Sequence, residues 1–117
     1  MNQPDWTKEY PGAITVCDPQ GIILYMNDRA QATFAASGPS LLGHNVLACH
    51  PEPARSKLAA MLESGESNTY TIEKNGQKKL IHQTPWYQDG KYSGFVELSI
   101  EIPRDLPHFV RTPKPAR

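Results

Sequence analysis

Two tight-turn dipeptides, Asn75-Gly76 and Asp89-Gly90, separate three runs of β-prone residues and commit the C-terminal half of the chain to an antiparallel meander. Both pairs tolerate the positive φ angles of a two-residue hairpin turn, whose twist matches that of the flanking strands. Residues 69–74 alternate, residues 78–87 make a longer strand, and residues 92–102 make the last one. Pro85 has no N–H to donate, so it predicts a bulge or an edge within the second run. In the third run Val96, Leu98, Ile100 and Ile102 share one face, and Glu97, Ser99 and Glu101 share the other. That alternation predicts one buried face and one that is wet or paired.

The N-terminal half opens with Pro11-Gly12 and a short strand over 13–17. Asp18-Pro19-Gln20-Gly21 has the chemistry of a turn: Asp opens it, Pro presets φ, and Gly accepts φ > 0. Residues 22–26 are β-branched and aromatic and pair back as the second arm of a hairpin. Asn27 stops that strand and caps a short helix from Asp28 that contains Ala30, Ala32, Thr33 and Phe34. Ser37-Gly38-Pro39-Ser40 breaks the pattern, and Leu41, Leu42, Val46 and Leu47 are apolar anchors in a loop-rich stretch. A helix over 54–63 follows Pro51 and Pro53, with Leu58, Met61 and Leu62 on one stripe and Ser64-Gly65 at its end. Helices segregated from an antiparallel sheet make an α+β layout, without a βαβ repeat.

At 117 residues the chain fits one domain able to bury a core without staples. Three segments are expected: an N-terminal extension over 1–9, a domain over 10–102, and a flexible tail over 103–117. The tail is Pro-rich, with Pro103, Pro107, Pro113 and Pro115, and basic. The formal net charge is zero, so no global field gathers polyanions, and nucleic acid is not an expected partner. Two cysteines are not the framework of a small secreted domain. The first residues have no apolar core of a secretory signal, and no run reaches the roughly 20 apolar residues of a membrane span. The expected address is the cytoplasm, away from membranes. There is no phosphate-binding glycine loop, G-x-S-x-G or H-E-x-x-H motif, so no enzymatic activity is expected.

The order of elements and residues 13–27 resemble a PAS domain. The carrying features are the strand before Asp18-Pro19-Gln20-Gly21, then Ile22-Ile23-Leu24-Tyr25-Met26-Asn27, then Gly43-His44-Asn45-Val46 in a G-x-x-V pattern. Cys49-His50-Pro51-Glu52 and residues 70–76 are similar to a bacterial PAS subgroup found beside hemerythrin-like or unknown-function domains. The resemblance spans 10–102. It implies a five-stranded antiparallel sheet in the order 2-1-5-4-3, short helices over one face, and a pocket between them. It also implies sensing, ligand binding or dimerisation, with the signal leaving through a separate partner or the tail. The cysteine motif of flavin-binding photosensory members is absent, which disfavours covalent flavin chemistry.

Three functions follow as expectations. The first is a sensor binding a small apolar or amphipathic ligand, with Met26, Phe34, Val46, His50, Leu58, Leu62, His82, Trp86 and Val96 as candidate lining residues. The second is a dimerisation or interaction module with a self-filled core, whose outer sheet face meets another copy or a signalling partner. The third is a haem-based redox or gas sensor with His50 as axial ligand. No cofactor is assigned beyond that haem alternative. Cys49, His50 and His44 lack the paired spacing of a structural zinc site. His82 and Trp86 share a strand face; if that face points outward, Ile81, Gln83 and Tyr87 take their place. Asn27 reads as structural, bonding backbone across the hairpin-to-helix corner, and Cys17 reads as packing.

Overall fold

The structure, a computed structural model, describes residues 3–34 and 41–113, with Phe34 and Cys49 described by their backbone. Five strands form one antiparallel sheet: β1 (Ala13–Cys17), β2 (Ile23–Met26), β3 (Asn68–Lys74), β4 (Gln77–Gln88) and β5 (Lys91–Ile102). Their spatial order is β2-β1-β5-β4-β3. Among the described residues, two helices, α1 (Asp28–Phe34) and α2 (Ala54–Ser64), and a 3-10 turn (Val46–Cys49) lie between β2 and β3 in sequence. The expected order of strands therefore holds.

Turn chemistry sets the register. Asn75 and Asp89 adopt φ of 53° and 49°, each followed by a glycine with positive φ, as two-residue hairpin turns require. In the first N-terminal turn the Gly21 N–H donates to the Asp18 carbonyl at 2.9 Å, and Asp18 Oδ1 accepts from the N–H groups of Gln20 and Ile22 at 2.9 Å. Gly65, at φ 73°, ends α2 by donating its N–H to the Met61 carbonyl at 2.8 Å.

β4 and β5 pair Gln88 with Lys91 and Tyr87 with Tyr92, but Trp86 with Gly94. The skipped residue, Ser93, is a bulge, and every pair below it is shifted by one. Pro85 is tolerated because β3 reaches only the Asn68–Gln83 pair, so the upper part of β4 is a sheet edge on that side. Both outcomes that Pro85 predicts, edge and nearby irregularity, are present.

The core has two small parts. Cys17, Met61, Leu62 and Phe95 make one, with Val46, Leu47 and Tyr92 packed on it. Ile23, Met26 and Ala30 make the other, and Val46 touches this one too. The Tyr92 hydroxyl donates to the Leu62 carbonyl at 2.8 Å, tying the end of α2 to β5. Tyr92→Phe is expected to cost about 1 kcal/mol, the usual net worth of one such bond, read as a lower urea midpoint at unchanged slope. Residues 103–113 carry no helix or strand, and Leu106, Phe109 and Val110 are exposed. Among the described residues no helix is long and apolar enough to cross a membrane.

Candidate functional site

The sheet has one face toward α2 and the 3-10 turn. Partners in register share a face, so Thr15, Glu97 and Gln83 form a row across β1, β5 and β4, continued by Asn68 on β3. This row lines a cleft whose apolar walls come from both parts of the core: Cys17 and Phe95 from one, Ile23 and Met26 from the other, with Leu41, Val46 and Leu58. A second recess, over Lys57, Asn68 and Tyr70, shares His50, Leu58 and Gln83 with it.

The polar row is wired in one direction. Asn68 Nδ2 donates to Gln83 Oε1 at 3.2 Å, and Gln83 Nε2 donates to Glu97 Oε2 at 2.8 Å. Gln83 is 7% exposed, so this bonding is what makes its burial tolerable. Burial pushes the Cys17 thiol above its ordinary range, and the charges of Asp18 and Glu97 add to the rise. Burial pushes the Tyr70 phenol up as well, again with a contribution from Glu97.

His50 is held at the end of the 3-10 turn. The turn is capped by Asn45, whose side chain accepts from the Leu47 N–H at 2.8 Å and donates to the Gln20 carbonyl at 3.1 Å. The His50 ring Nδ1 lies 2.8 Å from the Val46 carbonyl, which can only accept. Nδ1 therefore carries a proton, so the neutral ring has its lone pair on Nε2.

Of the residues singled out from sequence, Met26, Val46, His50, Leu58 and Val96 line this cleft. Val96 does so beside Phe95 and Glu97, although alternation turns its side chain to the other face. Leu62 packs in the core beside Cys17 and Phe95 and does not line the cleft. The Phe34 and Cys49 side chains lie outside the described residues. His82 and Trp86 are corrected: Ile81 and Gln83 are the buried positions, so His82 belongs to the opposite face, where its Nδ1 bonds the Thr69 hydroxyl at 2.8 Å. Trp86 instead spans the sheet, its indole N–H donating to the Cys17 carbonyl at 3.0 Å. Tyr87, offered beside Ile81 and Gln83 for the outward case, is 59% exposed and does not line the cleft. Sequence reasoning missed Gln83 as a wired residue, and Glu97 and Thr15 altogether. The signal for Gln83 was available, since counting down from Asn75-Gly76 pairs it with Asn68.

The opposite face carries Val16, Val96, Leu98, Ile100 and Leu80, all half-buried, beside Ile14 and Ile102, which are buried. Neither α2 nor the 3-10 turn covers it.

A family model described as the PAS fold matches residues 8–104. The chain belongs to the PAS family. Domains of this family are typical of sensor and signalling proteins. Among solved structures, the PAS domain of an HTR-like protein from Haloarcula marismortui is similar at 18% identity and TM-score 0.58, covering 83% of this chain and 86% of that one. The PAS domain of BvgS from Bordetella pertussis is similar at 19% identity and TM-score 0.59, over 84% and 82% of the two chains. The Aer2 receptor from Vibrio cholerae, described as a dual PAS-haem oxygen sensor, is similar at 20% identity and TM-score 0.56, over 79% and 95%. At these identities the likeness is one of PAS fold. No curated protein gives a significant match to the chain.

Haem chemistry is tested by the residues present. His50, with Nδ1 bonded and Nε2 free to donate its lone pair, has the tautomer an axial ligand needs. The rest of the lining does not suit a porphyrin: the Gln83–Glu97 pair lines the same cleft, and an apolar macrocycle closing over it would desolvate a carboxylate.

Proposed function

We propose that this PAS domain is a non-enzymatic sensor that binds a small apolar or amphipathic molecule in the cleft between the sheet and α2. The carrying observation is that cleft itself, apolar on most sides and polar along one wired row. Small-molecule sites combine apolar walls with a few placed polar groups, and this cleft has both. A ligand shifts the signalling state only by binding one conformation better than another. Leu58 and His50 are placed for this, because each lines both recesses and sits on or just before α2. The sensing unit is residues 10–102, followed by a Pro-rich basic tail over 103–117, of which 114–117 lie outside the described residues, and its place is the cytoplasm.

A second reading, a dimerisation module, is favoured by the half-buried apolar face of Val16, Leu80, Leu98 and Ile100. The haem alternative rests on His50 alone and ranks third, with the haem-sensing Vibrio cholerae receptor as its precedent.

Native mass spectrometry of the purified protein, beside its absorption spectrum with and without added haemin, separates the three. An added mass without a Soret band is the expected result. A Soret band lost in His50→Ala would establish the haem reading instead. A dimer at bare mass that ignores haemin would establish the interaction module.

A further inference from the structure

Glu97 is a carboxylate lining an apolar cleft, and among the described residues it has no ion-pair partner. Among the described residues the ion pairs are Lys8–Asp28, Arg29–Glu101 and Arg104–Glu73, and Glu97 belongs to none of them. Among the described residues it accepts one side-chain hydrogen bond, from Gln83 Nε2 at 2.8 Å, whereas an ionised carboxylate offers about four lone-pair sites. Gln83 is itself committed, since its Oε1 already accepts from Asn68. The row therefore delivers one donor to Glu97 and leaves its remaining acceptor capacity to whatever occupies the cleft. Thr15 stands directly opposite Glu97 in register.

A purely apolar molecule closing over this group would strip its water and return nothing, which is costly for a charge. A molecule carrying N–H donors would replace that water, and a cationic one would do so with charge-assisted bonds. The field of Glu97 already reaches Cys17 in the cleft and Tyr70 in the second recess, contributing to the upward shifts of both.

We infer that the cleft selects small monocations with an apolar body, an aryl- or alkylamine in chemical class, whose ammonium group binds Glu97 while the body fills the Met26, Val46, Leu58 and Phe95 walls. This rests on the sensor reading and deepens it.

The test compares three probes of one shape, 4-phenylbutylamine, 4-phenylbutan-1-ol and 4-phenylbutanoate, titrated by NMR into wild type and Glu97→Gln. The amine is expected to bind about tenfold tighter than the alcohol, the order of a charge-assisted bond away from bulk water, and the acid weakest. In Glu97→Gln the amine should fall to the level of the alcohol, whose own affinity stays put. The wild-type series stands without the variant, and a thermal melt of Glu97→Gln shows that it is folded. Equal binding of amine and alcohol in wild type overturns the inference and leaves the sensor reading standing, as does an amine preference that survives in Glu97→Gln. Tightest binding by the acid also overturns it and points to Lys57 at the second recess. If none of the probes shifts a cleft resonance, the inference and the sensor reading fall together.

Discussion

Gly94→Ala is expected to destabilise the protein by about 3–5 kcal/mol, combining strain at a glycine-only backbone angle with overpacking against fixed backbone. Gly94 sits at φ +127°, and a Cβ there would collide with the Cys17 carbonyl and come within 2.8 Å of Asp18 backbone atoms. No flexible side chain can give way, so β5 must move off the end of β1. That movement also strains the indole bond from Trp86 to the same Cys17 carbonyl. A small domain holds only about 5–15 kcal/mol in all, so the variant should be marginal or unfolded at 37 °C. Gly90→Ala is the control: φ is +78°, but nothing lies within 4 Å of its Cβ. It should cost only about 1–2 kcal/mol, the left-handed backbone penalty alone. Urea unfolding of the two variants side by side checks both the size and the contrast.

Asn27→Ala is expected to cost about 3–5 kcal/mol, because several buried backbone groups lose their partner at once. Asn27 is 1% exposed. Its Oδ1 accepts from the Ile14 and Ala30 N–H groups at 2.9 and 3.0 Å, and its Nδ2 donates to the Thr7 and Gly12 carbonyls, both at 2.9 Å. One amide thus joins the N-terminal segment, the start of β1 and the first turn of α1. Asn27→Asp keeps the acceptor but turns a carboxylate toward two carbonyls, so it should be no better than alanine. Denaturation midpoints of Asn27→Ala, Asn27→Asp and wild type test this ordering. A loss under about 1 kcal/mol in both variants would show that water replaces the amide.

Where a turn needs a special residue, the fold was readable. Asn75-Gly76, Asp89-Gly90, the Asp18 to Gly21 turn and the Gly65 cap each bring a φ requirement or a side-chain acceptor that few other residues meet. Asn27 was readable for the same reason, as a residue that both stops a strand and caps a helix. The facing of the sheet was not. Alternation says that Val96, Leu98 and Ile100 share a side, and their apolar character marks it as the buried one. It does not say which side the helices cover, and they cover the side of Phe95 and Glu97. The bulge at Ser93 adds to the difficulty, because one extra residue shifts every lower pair of β4 and β5. His82 and Trp86 were misplaced, and Glu97 was overlooked, by the same ambiguity. Leu58 and Met26 were legible because a helix stripe and a short strand bounded by turns leave less choice of direction.

The most direct measurement is a methyl NMR titration of the protein with 4-phenylbutan-1-ol, a neutral amphiphile that assumes nothing about charge. The predicted result is saturable shifts at Ile23, Met26, Val46 and Leu58, which line the cleft, with Leu80, Leu98 and Ile100 on the opposite face unmoved. Shifts confined to Leu80, Leu98 and Ile100, or no saturable shift at all, would contradict a ligand-binding cleft.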